Sequence, residues 1–263
     1  MEIIVCAKWA PDSSEAELDI DKEEKGVDLD ALEFDINDWD RFALEEAVQI
    51  KEKTDGKVTV VTVAPEESEE MLRECLARGA DEVFNLWDDA FEDSDGFATA
   101  RILSTFIKGR SYDLALLGTL ADDDCAGQLG GMLAAMLGVP GATLVHKIEP
   151  GDGKIGVVRE LEGGLSEALE MDLPAVVSVA TGLNEPRFVS IRAVRKVASI
   201  EIPVLESGDV GVEESQVGAA GSKTQIEKVF LPPEEEGAEI ISGSAEEAAG
   251  RLAEILREKG GIG

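Results

Sequence analysis

The strongest constraint on this chain is a rhythm: short apolar runs alternate with segments whose apolar residues recur every third or fourth position. Ile3-Ile4-Val5-Cys6-Ala7 is unbroken apolar sequence. That marks a strand buried on both faces, because a half-exposed strand would interleave polar residues. Val58-Thr59-Val60-Val61-Thr62-Val63, ended by Ala64-Pro65, is the clearest such run, and Val83-Phe84-Asn85-Leu86 and Asp113-Leu114-Ala115-Leu116-Leu117-Gly118 repeat it. Helical stripes fill the intervals. One begins near Asp38 with Trp39, Phe42, Ala43, Ala47 and Ile50; another covers roughly 68–78 and stops at Gly79. A third carries Phe97, Ala100, Leu103, Phe106 and Ile107, and a fourth carries Leu129, Met132, Leu133, Met136 and Leu137 before Gly138 and Pro140. This alternation predicts an α/β fold, a parallel sheet with helices on both faces.

Past residue 140 the pattern changes. Segments near 142–148, 154–161, 165–171 and 174–180 read as strands of more antiparallel character, separated by Gly151-Asp152-Gly153 and Gly163-Gly164. An α/β unit with an antiparallel extension is therefore expected over 1–181. Residues 182–235 carry many Gly, Pro and Glu with little periodicity, and the acidic stretch from Pro11 to Asp35, with charges at most second positions, reads as a loop. A long segment of that kind fits poorly inside a core, so 182–235 is expected as an extended arm lying on a partner. Ser244-Ala245-Glu246-Glu247 is a capping box opening a last helix within 236–263, with Leu252, Ile255 and Leu256 on its apolar side.

Composition narrows the chemistry. The 56 Asp and Glu against 24 Lys and Arg give a net charge of −32 over 263 residues. Such a field repels phosphates, which argues against nucleic acid and anionic membrane surfaces as partners. The strand pattern begins at the start of the chain and no apolar span of about 20 residues occurs, so a cytoplasmic or organelle-matrix protein without a membrane anchor is expected. Cys6, Cys75 and Cys125 stand far apart and His146 is the single histidine. That argues against a metal centre and against Ser–His or Cys–His catalysis. Redox work, if any, falls to a bound organic cofactor.

In an open parallel sheet, ligands sit beyond the carboxyl ends of the strands. The informative loop follows the fourth strand: Gly118-Thr119-Leu120-Ala121-Asp122-Asp123-Asp124-Cys125-Ala126-Gly127-Gln128-Leu129-Gly130. Small residues at a helix start let free backbone N–H groups approach a phosphate, while a carboxylate caps the helix or binds ribose hydroxyls. A plain surface turn with an acidic N-cap has the same spacing, and the residues alone leave both readings open. Lys8 after the first strand, Asn37 and Trp39 at the first helix, and Asp95 and Thr99 before the third helix share the same sheet edge.

These residues resemble a known family, the beta subunits of electron transfer flavoproteins, over nearly the whole chain. Val5-Cys6-Ala7-Lys8 with Pro11-Asp12 is similar to the family's opening V-C-V-K-x-x-P-D. Phe42-Ala43-Leu44-Glu45-Glu46-Ala47 and Arg78-Gly79-Ala80-Asp81 resemble its first helix and G-A-D turn. Arg159-Glu160-Leu161-Glu162-Gly163-Gly164, Leu173-Pro174-Ala175-Val176-Val177 and Leu183-Asn184-Glu185-Pro186-Arg187-Phe188 are similar to its second half, in order and spacing.

The resemblance implies an adenine nucleotide alpha hydrolase-like fold and a heterodimer with an alpha subunit that carries an electron-transferring FAD. The C-terminal helix would pack on that subunit. It implies AMP or a second FAD in this subunit; in bifurcating members the second FAD takes a hydride from NADH and splits the electron pair between two acceptors. Asp88-Asp89-Ala90-Phe91-Glu92-Asp93-Ser94-Asp95-Gly96-Phe97-Ala98-Thr99 resembles the bifurcating branch's D-R-A-F-x-x-x-D-T-L-A-T. Gly221-Ser222-Lys223-Thr224-Gln225, with Lys228 and Phe230, is similar to its G-S-x-T-Q arm. The phosphate loop departs from the family's G-[RK]-Q-A-x-D-G-D-T at Thr119, Leu120 and Cys125, and Asn37-Asp38-Trp39 stands for Asn-Pro-Tyr.

Carried over by position, Cys6, Ala7, Lys8, Asn37, Asp38, Trp39, Asp40, Val63 and the loop Gly118, Thr119, Asp123, Asp124, Cys125, Ala126, Gly127, Gln128 and Leu129 would line the adenylate and phosphate site. Phe91, Ser94, Asp95 and Thr99 would approach an isoalloxazine, and Ile191 in a recognition loop would dock into an acyl-CoA dehydrogenase-type or quinone-reducing partner. FAD is the expected nucleotide here, with structural AMP as the alternative. A stand-alone adenylate-binding regulator is the reading from another class.

Overall fold

The computed structural model describes residues 1–12, 18–29, 32–233, 237–238 and 240–261. Parts of the acidic stretch 11–35 and of 234–239, and the last two residues, fall outside these. The apolar runs form β1 (Glu2–Cys6), β4 (Lys57–Val63), β5 (Glu82–Leu86), β6 (Leu114–Gly118) and β10 (Ala175–Val179). The stripes form α1 (Asp38–Thr54), α2 (Glu69–Arg78), α3 (Gly96–Lys108) and α4 (Leu129–Leu137). Each strand sends alternate side chains into two separate cores, as a period of two demands. Ile3, Val5, Val58, Val60, Leu114 and Leu116 meet Ala43, Leu44, Leu72 and Cys75 of α1 and α2. Ile4, Cys6, Val61, Ala115 and Leu117 meet Ile102, Leu103, Phe106 and Leu133 of α3 and α4. The expected parallel sheet with helices on both faces is the fold observed.

Adding β7 (Gly141–Pro150), β8 (Lys154–Leu161), β9 (Leu165–Asp172) and β11 (Val204–Leu205), the sheet runs β11-β5-β4-β1-β6-β10-β7-β8-β9. Two expectations need correcting here. Residues 174–180 were expected to have antiparallel character, but β10 pairs parallel to both β6 and β7; the antiparallel pairs are β7–β8 and β8–β9. β10 is buried at all five positions because it lies inside the sheet. The stretch from Pro11 to Asp35, read as a loop, holds an antiparallel pair of β2 (Trp9–Asp12) and β3 (Glu33–Ile36), in which Trp9 stacks on Phe34 at 4.1 Å.

The segment after 181, expected as an extended arm, carries short elements of its own. Up to Val229 it belongs to the same unit as the sheet. Short helices α5 (Ile191–Val197), α6 (Ser207–Val210) and α7 (Gly218–Gly221) interrupt it, and β11 pairs parallel with β5 at the sheet edge. Its start is anchored on α1. Arg187 binds Glu45 through Nε at 2.8 Å and Glu52 through Nη1 at 2.8 Å, and Asn184 donates to Glu46 at 3.0 Å. Residues from Phe230 onward form a second unit. Its helix α8 (Ala245–Glu258) has the capping box: Ser244 Oγ accepts from Glu247 N–H and Glu247 accepts from Ser244 N–H at 2.8 Å. Leu252 and Leu256 are exposed on it.

Candidate functional site

In the order β5-β4-β1-β6-β10, the chain first winds outward from β1 to β4 and β5, then crosses back to β6 on the other side of β1. That reversal is the switch point at which the carboxyl ends of an α/β sheet open a crevice. β1 and β6 pair in parallel from Ile3–Leu114 to Val5–Leu116. A cavity of about 360 Å³ lies beyond their ends.

Most of the residues singled out from sequence meet on its wall: Cys6, Ala7, Lys8, Asn37, Asp40, Val63, Phe91, Ser94, Asp95, Thr99, Gly118, Thr119, Asp124, Ala126, Gly127, Gln128 and Leu129. Asp38, Trp39, Asp123 and Cys125 do not line it. The Asp38 N–H donates to Asp122 Oδ2 at 3.0 Å, and Asp123 accepts from Lys8 Nζ at 2.6 Å. Trp39 packs against Gly118 so closely that a Cβ there would sit 2.5 Å from the Trp39 Cβ. Cys125 is exposed, with φ at 47°. Ile191 lies elsewhere, 73% exposed at the start of α5, and Phe188 beside it is fully exposed.

The floor of the crevice is a polar node around Asp40 in the first turn of α1. Its Oδ1 accepts the Gly118 N–H at 2.6 Å; Oδ2 accepts the Lys8 N–H at 2.9 Å and Asn37 Nδ2 at 3.1 Å. Asn37 in turn donates to the Leu120 carbonyl at 2.9 Å and accepts the Asp122 N–H at 3.1 Å. Burial pushes the Asp40 carboxyl up to about 6, against the pull of those N–H groups and of the Lys8 charge. At the mouth, Lys8 Nζ bridges Asp123 and Asp124 at 2.6 and 3.1 Å. Burial disfavours the Lys8 ammonium, yet the two carboxylates outweigh it and raise its pKa.

The loop after β6 then reaches α4 through Gly127, whose φ of 63° is left-handed. Such a residue is inexpensive only as glycine. No side chain caps α4. The first N–H groups of a helix have no partner within it, and they point toward where an anion would sit.

The other end of the cavity is built by the segment after β5. Asp95 caps α3, its Oδ1 accepting from Phe97 and Ala98 N–H at 3.0 Å. Its Oδ2 takes the Lys223 N–H at 2.7 Å, the Thr224 N–H at 2.8 Å and the Thr224 hydroxyl at 2.9 Å. Ser94 Oγ accepts the Gly218 N–H at 2.9 Å, and Ser222 Oγ accepts the Asp95 N–H at 2.8 Å. Burial opposes ionisation of Asp95, but these donors prevail and its carboxyl lies near pH 2. The carboxylate is thus occupied by the chain itself. The two stretches singled out separately in the sequence, 88–99 and 221–225, are one interlocked structure.

Sequence reasoning missed Val61, Thr62, Trp87, Leu103 and Leu117 on the wall. All stand within or just beyond strands and helices read as core, so nothing in their spacing separated lining from packing. Thr62 carries the one signal the structure adds: its Oγ1 is buried without a hydrogen-bond partner. Asp122 was inside the inspected loop, but its bond to Asp38 spans 84 positions.

A doubly wound α/β protein with a crevice at its switch point is the class this architecture defines. Residues 27–210 match the electron transfer flavoprotein domain. The electron transfer flavoprotein subunit beta of Methylophilus methylotrophus is 37% identical over 98% of both chains. That of Thermoanaerobacterium thermosaccharolyticum is 36% identical over 98% of this chain and 99% of its own. The caffeyl-CoA reductase-Etf complex subunit CarD of Acetobacterium woodii is 37% identical over the same shares. The chain belongs to the electron transfer flavoprotein family, among its beta subunits. Among the described residues no helix is long and apolar enough to cross a membrane.

Proposed function

We propose that this chain is the beta subunit of a heterodimeric electron transfer flavoprotein and holds its own FAD in the crevice between β1 and β6. The adenosine and phosphates would lie between Asn37, Val63 and the N-terminus of α4, held by main-chain N–H groups of Gly127, Gln128 and Leu129. The observation carrying the choice of FAD is the compartment beyond that half. Trp87, Phe91, Ser94, Thr99 and Leu103 wall it, and the arm 217–224 braces its rim through Asp95 and Ser94. An adenylate alone gives such a compartment nothing to enclose. FAD supplies one- and two-electron redox chemistry that no side chain of this protein offers.

The protein's own contributions are to orient the ring system through this wall, to exclude water, and to shield the nucleotide phosphates from Asp123 and Asp124 by engaging both with Lys8. Structural AMP is the second reading, since the polar, phosphate-directed end of the crevice serves either nucleotide equally. The partner subunit would carry the second flavin and cover the apolar side of α8. Phe188 and Ile191 form the surface for a dehydrogenase or quinone-reducing partner, and NADH as electron source fits the bifurcating type. Soluble cytoplasmic location is part of this reading. Acid extraction of the purified heterodimer followed by mass identification tests it: two FAD per dimer is expected, and one FAD with one AMP overturns the FAD assignment.

A further inference from the structure

β1 and β6 are neighbours whose ladder ends at Val5–Leu116, and past that point two backbone N–H groups, those of Lys8 and Gly118, face the gap. One carboxylate takes both. We propose that Asp40 is the positioning residue of the nucleotide crevice: its ionised carboxylate is the strut that sets the separation of the two strand ends, and nucleotide binding depends on it. The proposal deepens the nucleotide reading above and rests on it.

Three features support the strut. Asp40 is only 4% exposed, and the Lys8 ammonium is engaged by Asp123 and Asp124 instead. The carboxylate is therefore held by N–H dipoles from three directions, an arrangement in which a buried charge is tolerated only while every donor stays in place. Through Asn37 the same node grips the Leu120 carbonyl and the Asp122 N–H, so it also sets the path of the phosphate-side loop. Gly118 admits no side chain, since a Cβ would lie 2.5 Å from the Trp39 Cβ and 2.9 Å from Asp40 Oδ1.

Protonating Asp40 removes acceptor capacity while all three donors remain, and the strut loosens. The charged and titratable groups acting with it are the Lys8 ammonium after β1, the Cys6 thiol on β1 and the Cys75 thiol on α2, both thiols held protonated by burial.

The test has two readouts on the full-length chain. In the first, the amide resonances of Lys8 and Gly118 are followed by NMR from pH 8 to pH 5. They are expected to titrate with a common midpoint near 6; separate or absent transitions overturn the strut. In the second, AMP and FAD are each titrated by calorimetry across the same range, with FAD giving the pH profile because its diphosphate keeps its charge there, whereas the AMP phosphate itself titrates at about pH 6. Affinity is expected to fall below pH 6 by up to tenfold per unit. Asp40→Asn, which turns one acceptor into a donor, is expected to weaken binding roughly 10- to 100-fold at pH 8 and to flatten the profile.

Binding in Asp40→Asn that matches the wild type, or that keeps the pH profile, overturns the proposal. A wild-type chain that takes up neither nucleotide, while the two amides still titrate together, supports the strut and overturns the nucleotide reading instead.

Discussion

Arg187 offers the sharpest test of how the segment after 181 is held on α1. Its guanidinium donates to Glu45 through Nε at 2.8 Å and Nη2 at 3.1 Å, and to Glu52 through Nη1 at 2.8 Å. The Glu45 side chain is only 6% exposed, and the Arg187 side chain 34%. Arg187→Met would leave a nearly buried carboxylate with the Gln49 amide at 2.9 Å and the residue 187 N–H at 3.1 Å. Breaking a fully buried pair costs about 3–5 kcal/mol. A guanidinium one-third exposed is partly screened, and the exposed Glu52 adds little, so about 2–3 kcal/mol is expected. For a chain of this size that lowers Tm by roughly 4–12 °C.

Burial opposes ionisation of Glu45, but Arg187 outweighs it and holds the carboxyl below its usual 4.5. The pair therefore contributes fully above that value and loses its contribution as pH falls through the depressed one. Urea unfolding of both proteins at pH 7 and at intervals down to pH 3 reads this directly. The gap between them should close in acid. A gap below about 0.5 kcal/mol at pH 7, or one that persists undiminished at pH 3, would refute the reasoning.

Other outcomes follow from the same geometry. Gly127→Val places a β-branched residue at a φ of 63°, costing about 1–3 kcal/mol of local strain; nucleotide recovered after purification should fall at least tenfold while the chain stays folded by circular dichroism. In Gly218→Ala, the new methyl meets the Ala90 carbonyl oxygen, and the residue's φ is 60°, so the arm should detach and limited proteolysis within 219–229 should accelerate. The Asp95 latch behind it has a carboxyl lowered to about 2; its contribution is complete above its unfolded value near 3.8 and is lost only as pH falls through about 2, so protease resistance of the arm should be unchanged from pH 8 to pH 5. Ile191→Glu changes a residue 73% exposed, so stability and bound nucleotide should stay the same while electron delivery to the acceptor slows, measured by stopped-flow reduction.

The sequence made the sheet legible wherever burial on both faces left unbroken apolar runs, as in Ile3–Val5 and Val58–Val63. It hid elements whose pairing depends on distant partners. β11 is two residues among Pro and Glu, and it exists because Asn85 N–H donates to the Pro203 carbonyl at 2.9 Å. β2 contains Pro11 and is an edge strand, outside the main sheet. β10 follows the antiparallel strands β8 and β9 in sequence, and only the crossover placed it between β6 and β7.

The crevice was partly legible for a similar reason. Lys8, Asn37, Asp95 and the loop 118–129 stand at strand ends, and the topology brings strand ends together. The role of Asp40 was not legible, because three donors from 3, 32 and 78 positions away converge on it. Nor was the engagement of Asp95 by Lys223 and Thr224, which stand 128 and 129 positions away.

What fills the crevice between β1 and β6 decides between a second flavin and a structural nucleotide. Native mass spectrometry of the chain with its companion subunit, followed by release and identification of every bound small molecule, addresses that directly. Two FAD per pair are expected, with one lost selectively in Gly127→Val. AMP in place of the second FAD, or a pair whose nucleotide content is untouched by Gly127→Val, would contradict that expectation.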